Sequence, residues 1–137
     1  DYIIDSSQAS TIVSTLNNGT SVTIDTAYSP TGSSSGSGGI ISIGSPAGDI
    51  VVVSDIVKTA GGDATLTLKA NRMVSLEANI SSTSGKLNLV LWSDYDGTLD
   101  GGVSIGTYSR PITISTNGGN IWAGGSNPDN PRQHGLG

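Results

Sequence analysis

Residues 59–94 read TAGGDATLTLKANRMVSLEANISSTSGKLNLVLWSD, and the stretch says nearly the same thing twice. TAGGDATLTL, residues 59–68, is a looser copy of TSGKLNLVL, residues 83–91. Each threonine follows an isoleucine by three residues: Ile56 stands before Thr59, and Ile80 before Thr83. The alignment extends outward. VVVSDIVKTAGGDATLTL (51–68) falls on VSLEANISSTSGKLNLVL (74–91), matching Val51 with Val74, Val53 with Leu76, Ile56 with Ile80 and Gly61 with Gly85. VSIGTYSRPITISTNGGNIW (103–122) is a third copy, bringing Thr116 and Gly118 to the place of Thr83 and Gly85. The threonines lie 24 and 33 residues apart, and the longer interval holds DYDGTLDGG, residues 94–102, which reads as an acidic loop inserted into the repeat.

Short strands and glycine turns recurring every 20–30 or so residues are the signature of stacked coils. One coil cannot bury its own aliphatic face, and the next coil laid over it does so. The repeat therefore predicts an all-β parallel β-helix of stacked three-strand coils, with one short N-terminal helix. An antiparallel sandwich also suits many short strands, but gives no reason to repeat Ile-x-x-Thr-x-Gly.

Composition agrees. The chain of 137 residues has 20 glycines, no phenylalanine, no cysteine and 12% charged residues, too few for a disordered polyelectrolyte. Its apolar residues are aliphatic and fall in short alternating runs, which suits half-buried strands. The inward sets predicted at period two are Ile41 and Ile43; Val51, Val53 and Ile56; Ala64, Leu66, Leu68 and Ala70; Val74, Leu76, Ala78 and Ile80; Leu87, Leu89 and Leu91; Val103 and Ile105; Ile112 and Ile114; and Ile121. Ahead of these, Ala9, Ile12, Val13 and Leu16 have helical spacing, predicting a helix over 7–17 capped by Ser6 or Ser7 and stopped at Gly19. Val22 and Ile24 share one face of a strand, and the Gly/Ser-rich run 29–39 reads as a surface loop. Residues 1–125 are expected to form one domain, and 126–137 a tail or the connection to further coils.

Net charge is −5, and the six basic residues form no cluster, which argues against phosphate-backbone binding. No apolar run reaches membrane-spanning length. The chain opens on Asp1 and shows no signal peptide, which reads as a mature product or an excised piece. Lack of cysteine excludes a disulfide-stapled secreted fold; it fits cytosolic proteins and equally bacterial surface proteins exported as an unfolded chain.

The residues also carry a resemblance. GGDATLTLKA (61–70), ANISSTSGKLNLVLWSD (78–94) and ISTNGGNIWAGG (114–125) resemble coils of filamentous-haemagglutinin-type proteins, the large bacterial adhesins secreted by the two-partner route. IVSTLNNGTSVTIDT (12–26) is similar to a segment these proteins carry ahead of such coils. The resemblance implies a right-handed β-helix, export, and a role at the bacterial cell surface. The characteristic Asn-Pro-Asn turns of their secretion domain are missing. NPDN, residues 127–130, is the nearest approach, so the chain reads as an internal piece of a longer protein or a small subunit built on the same coil.

Candidate sites are few. Asp94, Asp96 and Asp100 around Gly97 supply carboxylates and a sharp turn, the parts of a calcium loop, although Trp92 stands where another oxygen ligand is expected. Against this stands a solvated acidic turn. Trp92 and Trp122 are predicted to face outward and, with Tyr95, to offer a surface on which sugar rings stack; covering the coil beneath a loop is the competing role. Asn18 and Asn79 head Asn-x-Ser/Thr sequences and are candidate glycosylation sites. No catalytic set is recognisable: His134 is the one histidine and no nucleophile elbow is present. The expected function is therefore a β-helical stalk segment of a secreted or cell-surface adhesin. Its partner would be a glycan or protein of a host or neighbouring cell, or further copies of itself. A self-assembling extracellular fibre subunit is the alternative, and a carbohydrate-active β-helix enzyme a third.

Overall fold

The structure is a computed structural model that describes residues 2–25, 35–36, 40–42, 49–70, 72–94 and 102–125, with 35–36 and 40–42 described by their backbone. The strands fall into successive units. The first unit is β1 (Tyr2–Ile4), α1 (Ser6–Leu16) and β2 (Val22–Asp25). Two short strands, β3 (Ser35–Gly36) and β4 (Ile40–Ser42), follow. The second unit is β5 (Ile50–Val52), β6 (Ile56–Lys58) and β7 (Ala64–Lys69). The third is β8 (Val74–Leu76), β9 (Ile80–Ser82) and β10 (Leu87–Ser93). The fourth is β11 (Val103–Ile105), β12 (Ile114–Ser115) and β13 (Ile121–Gly125).

Each of the last three units contributes one strand to each of three sheets, ordered β1-β5-β8-β11, β6-β9-β12, and β3-β4-β2-β7-β10-β13. Among the described residues every strand pairing is parallel except the two-residue β3–β4 pairing. Parallel neighbours need a crossover between them, which here is the rest of the unit. An antiparallel sandwich is thereby excluded for these strands. Within the 29–39 run, Ser35–Gly36 lies antiparallel to β4, and the rest of the run lies outside the described residues.

Register puts like above like. Val22 lies on Leu66 and Leu66 on Leu89; Ile24 lies on Leu68, Leu68 on Leu91, and Leu91 on Ala123. Val52 lies between Ile4 and Leu76, and Ile56 lies on Ile80. The columns form one aliphatic core. Each fully buried aliphatic side chain contributes ~1.5–3 kcal/mol relative to exposure. Alternating neighbours such as Thr65, Thr67 and Lys69 point outward from between buried Ala64, Leu66 and Leu68.

Two details of phase differ from the sequence expectation. In β5 the buried residues are Ile50 and Val52; Val51 is half-buried and Val53 exposed. The run Ile-Val-Val-Val is apolar at every position and carries no period-two contrast. Its phase follows instead from an offset of 24 residues, Ile50 on Val74 and Ile56 on Ile80. In the fourth unit Ile114 pairs with Ile80, so Thr116 continues onto Ser82 rather than Thr83. There it replaces one inward hydroxyl with another.

That inward polar position holds Lys58, Ser82 and Thr116 in the three units. The Lys58 side chain is fully buried, and its Nζ donates to the carbonyls of Ala60, Gly61 and Ser84. Ser82 Oγ donates to the carbonyls of Ser84 and Gly85, and Thr116 Oγ1 to that of Gly119. Tight turns leave carbonyls turned inward, and each unit answers them with a donor. The repeated glycine has a steric reason as well. Gly85 has φ +73°, and a Cβ there would run into the Gly62 carbonyl of the unit beneath.

The helix replaces a strand. α1 lies against β6, where the other units would place a strand of the second sheet, and buries Ala9, Ile12 and Leu16 in the core. It starts one residue earlier than expected because Asp5, not Ser6 or Ser7, is the cap; its carboxylate accepts from the Ser7 and Gln8 N–H groups. Gly19, at φ +76°, ends it as predicted. Past its last turn, Asn17 Oδ1 accepts from Thr59 and Ala60 N–H, fastening the helix to the repeat's first turn.

Candidate glycan-contact face

The third sheet has an outer face made by the residues between its buried leucines. Trp92 lies between buried Leu91 and Ser93, which turns its ring outward, and Trp122 occupies the outward position beside Val90. Along one column Asp25, Lys69, Trp92 and Gly124 follow one another across β2, β7, β10 and β13. The neighbouring column is Thr23, Thr67, Val90 and Trp122. Gly124 has no side chain beside Trp92, and the space goes to the Trp122 ring on the diagonal.

The two rings meet edge to face, with centroids 6.3 Å apart and planes at 79°. Lys69 Nζ stands 4.8 Å from the Trp92 centroid and 3.7 Å from Asp25 Oδ2. An edge-to-face pair contributes ~0.5–1.5 kcal/mol, an exposed cation–π contact ~0.5–1 kcal/mol, and a surface ion pair ~0–1 kcal/mol. These are small against the aliphatic core. Their effect is to hold two large rings in fixed orientation on a half-exposed surface. Thr65 and Asn88, paired in register on adjacent strands, add hydroxyl and amide groups nearby. Ordered aromatic faces beside neutral hydrogen-bonding groups suit contact with the C–H faces and hydroxyls of a sugar ring.

Tyr95, the third aromatic candidate, and Asp96 and Asp100 of the calcium-loop candidate lie outside the described residues. Asp94 is described, and it is not a solvated turn residue. It is buried, adopts φ +50°, and its N–H donates to the Arg72 carbonyl. Among the described residues no three His, Cys, Asp or Glu side chains lie together as a metal site. Asn18 is exposed just past α1. Asn79 is exposed too, but its Oδ1 accepts from Thr113 N–H at 2.8 Å, while its own N–H donates to Asp55. The side chain is a link between units.

Sequence reasoning missed the polar partners. Arg72 makes a two-pronged contact with Asp49, Nε to Oδ1 at 2.9 Å and Nη2 to Oδ2 at 2.6 Å, and Met73 N–H adds a third bond. The Arg72 hydrogen bond holds the Asp49 carboxyl below its usual range, helped by the Met73 N–H and opposed by burial. Burial pushes the Tyr2 hydroxyl up, and nearby Asp5 adds to it. Both partners of the Asp49–Arg72 pair stand about one repeat apart, and that spacing was the available signal.

Comparison of the chain with protein-family models, with curated proteins and with solved structures finds no match. No helix among the described residues is long and apolar enough to cross a membrane.

Proposed function

We propose that this chain is a right-handed parallel β-helical stalk segment of a bacterial cell-surface or secreted adhesin, of the filamentous-haemagglutinin type that its repeats resemble. The observation that supports this reading is the strand order: each later unit visits the three sheets in turn, in register with the unit before. Such a stack extends along one axis by adding units, which is what a stalk requires. Right-handed crossover is the general rule for parallel strands of one sheet. The outer face bearing Trp92 and Trp122 is its contact with a surface glycan, a claim supported by the ring geometry.

The test is binding to a panel of immobilised glycans and to intact cells. The reading expects retention, and loss of at least tenfold on Trp92→Ala or Trp122→Ala, with the circular dichroism spectrum unchanged. Absence of binding, or binding indifferent to both substitutions, contradicts the glycan contact.

A self-assembling fibre is the second reading. Among the described residues the inward side chains of the fourth unit are the more exposed ones, Ile105 at 43% and Ile121 at 50%, which favours self-contact. Head-to-tail growth would need a matching open end, and α1 stands over the second sheet there.

A further inference from the structure

The sheet that carries the two rings is nearly free of charge. Its strands, Val22–Asp25, Ser35–Gly36, Ile40–Ser42, Ala64–Lys69, Leu87–Ser93 and Ile121–Gly125, hold one acid and one base, Asp25 and Lys69. These two face each other at 3.7 Å, with side chains only 13% and 19% exposed. The Lys69 ammonium also stands 4.8 Å from the Trp92 centroid, so its charge is engaged on two sides. Around this pair the outward positions are held by Thr23, Thr65, Thr67, Asn88 and Val90, all uncharged. The acidity of a chain of net charge −5 lies at the turns instead, at Asp49, Asp55, Asp63 and Glu77. The cations near the ends of the sheet are matched as well. Arg72, three residues past β7, is forked by the Asp49 carboxylate. Lys86 precedes β10, and Asp63 Oδ1 accepts from its N–H. Lys86 is also six residues from Trp92, ~20 Å of extended strand, about two Debye lengths in physiological salt. Two residues past Trp92, buried Asp94 adds a carboxylate rather than a cation.

We infer that this outer face takes uncharged oligosaccharides, chains of hexose or N-acetylhexosamine, and rejects the same chains once they carry a sialic acid, a uronate or a sulfate. The inference rests on the glycan-contact reading and names the ligand class of that same face. Threonine hydroxyls and asparagine amides can donate to sugar hydroxyls or accept from them, and the ring faces take the sugar C–H groups. An anionic group pressed against the face loses its hydration, and the cations it meets are already matched, Lys69 by Asp25 and Arg72 by Asp49. A desolvated charge without a counter-charge is costly, and an unpaired charge of this kind is a general means of turning away the wrong ligand. Asp25 is therefore the specificity-determining residue: it withholds the Lys69 charge from the ligand. From Asn88 to Trp92 the face runs four residues, ~13 Å, which gives room for a chain rather than a single ring.

Matched glycan pairs test it with the full 137-residue chain. Cellotriose, chitotriose and lacto-N-tetraose are immobilised, each beside an anionic counterpart: the tri-uronate, the 6-O-sulfated and the sialylated chain. The wild type is expected to retain neutral members about tenfold or more better than their anionic partners, with retention of the neutral members unchanged as sodium chloride rises from ~50 to ~500 mM. Asp25→Asn, with an unchanged circular dichroism spectrum, leaves the Lys69 charge uncompensated. It is expected to narrow that ratio by several-fold and to make the anionic binding salt-sensitive. Should this variant fail to fold, the wild-type ratio and its salt series decide. Anionic members bound as well as or better than neutral ones, neutral binding that weakens with salt, or a folded Asp25→Asn that discriminates like the wild type overturns the inference. Where such binding is still lost on Trp122→Ala, the glycan contact stands and the ligand class alone falls. Retention of neither class removes the glycan contact and this inference together.

Discussion

The third and fourth units follow one pattern and meet opposite fates. Leu89 and Ile121 are partners in register on adjacent strands, yet Leu89 is fully buried and Ile121 half exposed. Leu76 and Ile105 differ in the same way. The alternation in each strand decides which side chains point inward. Whether an inward side chain is also dry depends on a unit stacked above it. Burial in this fold belongs to the neighbour as much as to the strand, which is how a quasi-one-dimensional stack differs from a globular core.

Substitutions sharpen that contrast. Leu89→Ala leaves a cavity closed on both sides and is expected to cost ~2–5 kcal/mol of unfolding free energy in urea titrations. Ile121→Ala removes a side chain already half in water and is expected to cost under ~1.5 kcal/mol, in proportion to the area it buries. Equal costs would show that the fourth unit is covered in solution.

Glycines separate the same two regions. Gly85→Ala forces a left-handed conformation, costing ~1–2 kcal/mol, and also drives a methyl group into the Gly62 backbone. Gly118, at φ +90°, meets only Lys86 side-chain atoms at 3.8 Å or more, so Gly118→Ala costs the conformational part alone. Thermal melts of the two variants should rank Gly85→Ala well below Gly118→Ala.

The inward polar corner gives a smaller pair. Lys58→Met leaves three turn carbonyls without their shared donor and is expected to cost ~1–3 kcal/mol. Thr116→Val removes one bond at a half-buried site of the open unit, and the expected cost is ~1 kcal/mol. Denaturant midpoints of the two variants check the order.

The smallest effect is one of pH. Asp49 has a lowered carboxyl pKa in the folded chain, through Arg72 first. Its contribution is therefore complete above the unfolded carboxyl value of ~3.9 and disappears as pH falls through the folded value. Asp49→Asn should lower stability at neutral pH and flatten this acid-side loss in urea midpoints. An unchanged acid profile would show that the Arg72 contact does not persist in solution.

Much of this fold was legible because leucine and threonine alternate cleanly. The inward rows Ala64–Ala70 and Leu87–Leu91, the helix from Ala9 to Leu16 and the outward tryptophans all follow from period and spacing. Legibility fails where contrast fails. Ile50–Val53 is uniformly apolar, so its phase had to come from the register of Ile56 on Ile80. Thr116 slipped by one place because threonine serves equally as an outward turn residue and an inward donor. Lys58 was illegible for a different reason. A lysine is expected in water, and nothing local announces three carbonyls gathered from two units. The candidate contact face was readable in its two rings but not in the Lys69 and Asp25 that order them, since those contacts cross strands 23 and 44 residues apart.

The central claim is the parallel register of neighbouring units. It places Thr65 beside Asn88 and Lys69 beside Trp92 at once. Spin labels on paired cysteines at 65 and 88, and separately at 69 and 92, test it in a chain with no native cysteine. Adjacent strands lie ~4.8 Å apart, so both pairs should show strong dipolar broadening in the continuous-wave spectrum. An antiparallel pairing brings together at most one of these pairs, and broadening confined to one pair, or found in neither, contradicts the stacked parallel arrangement.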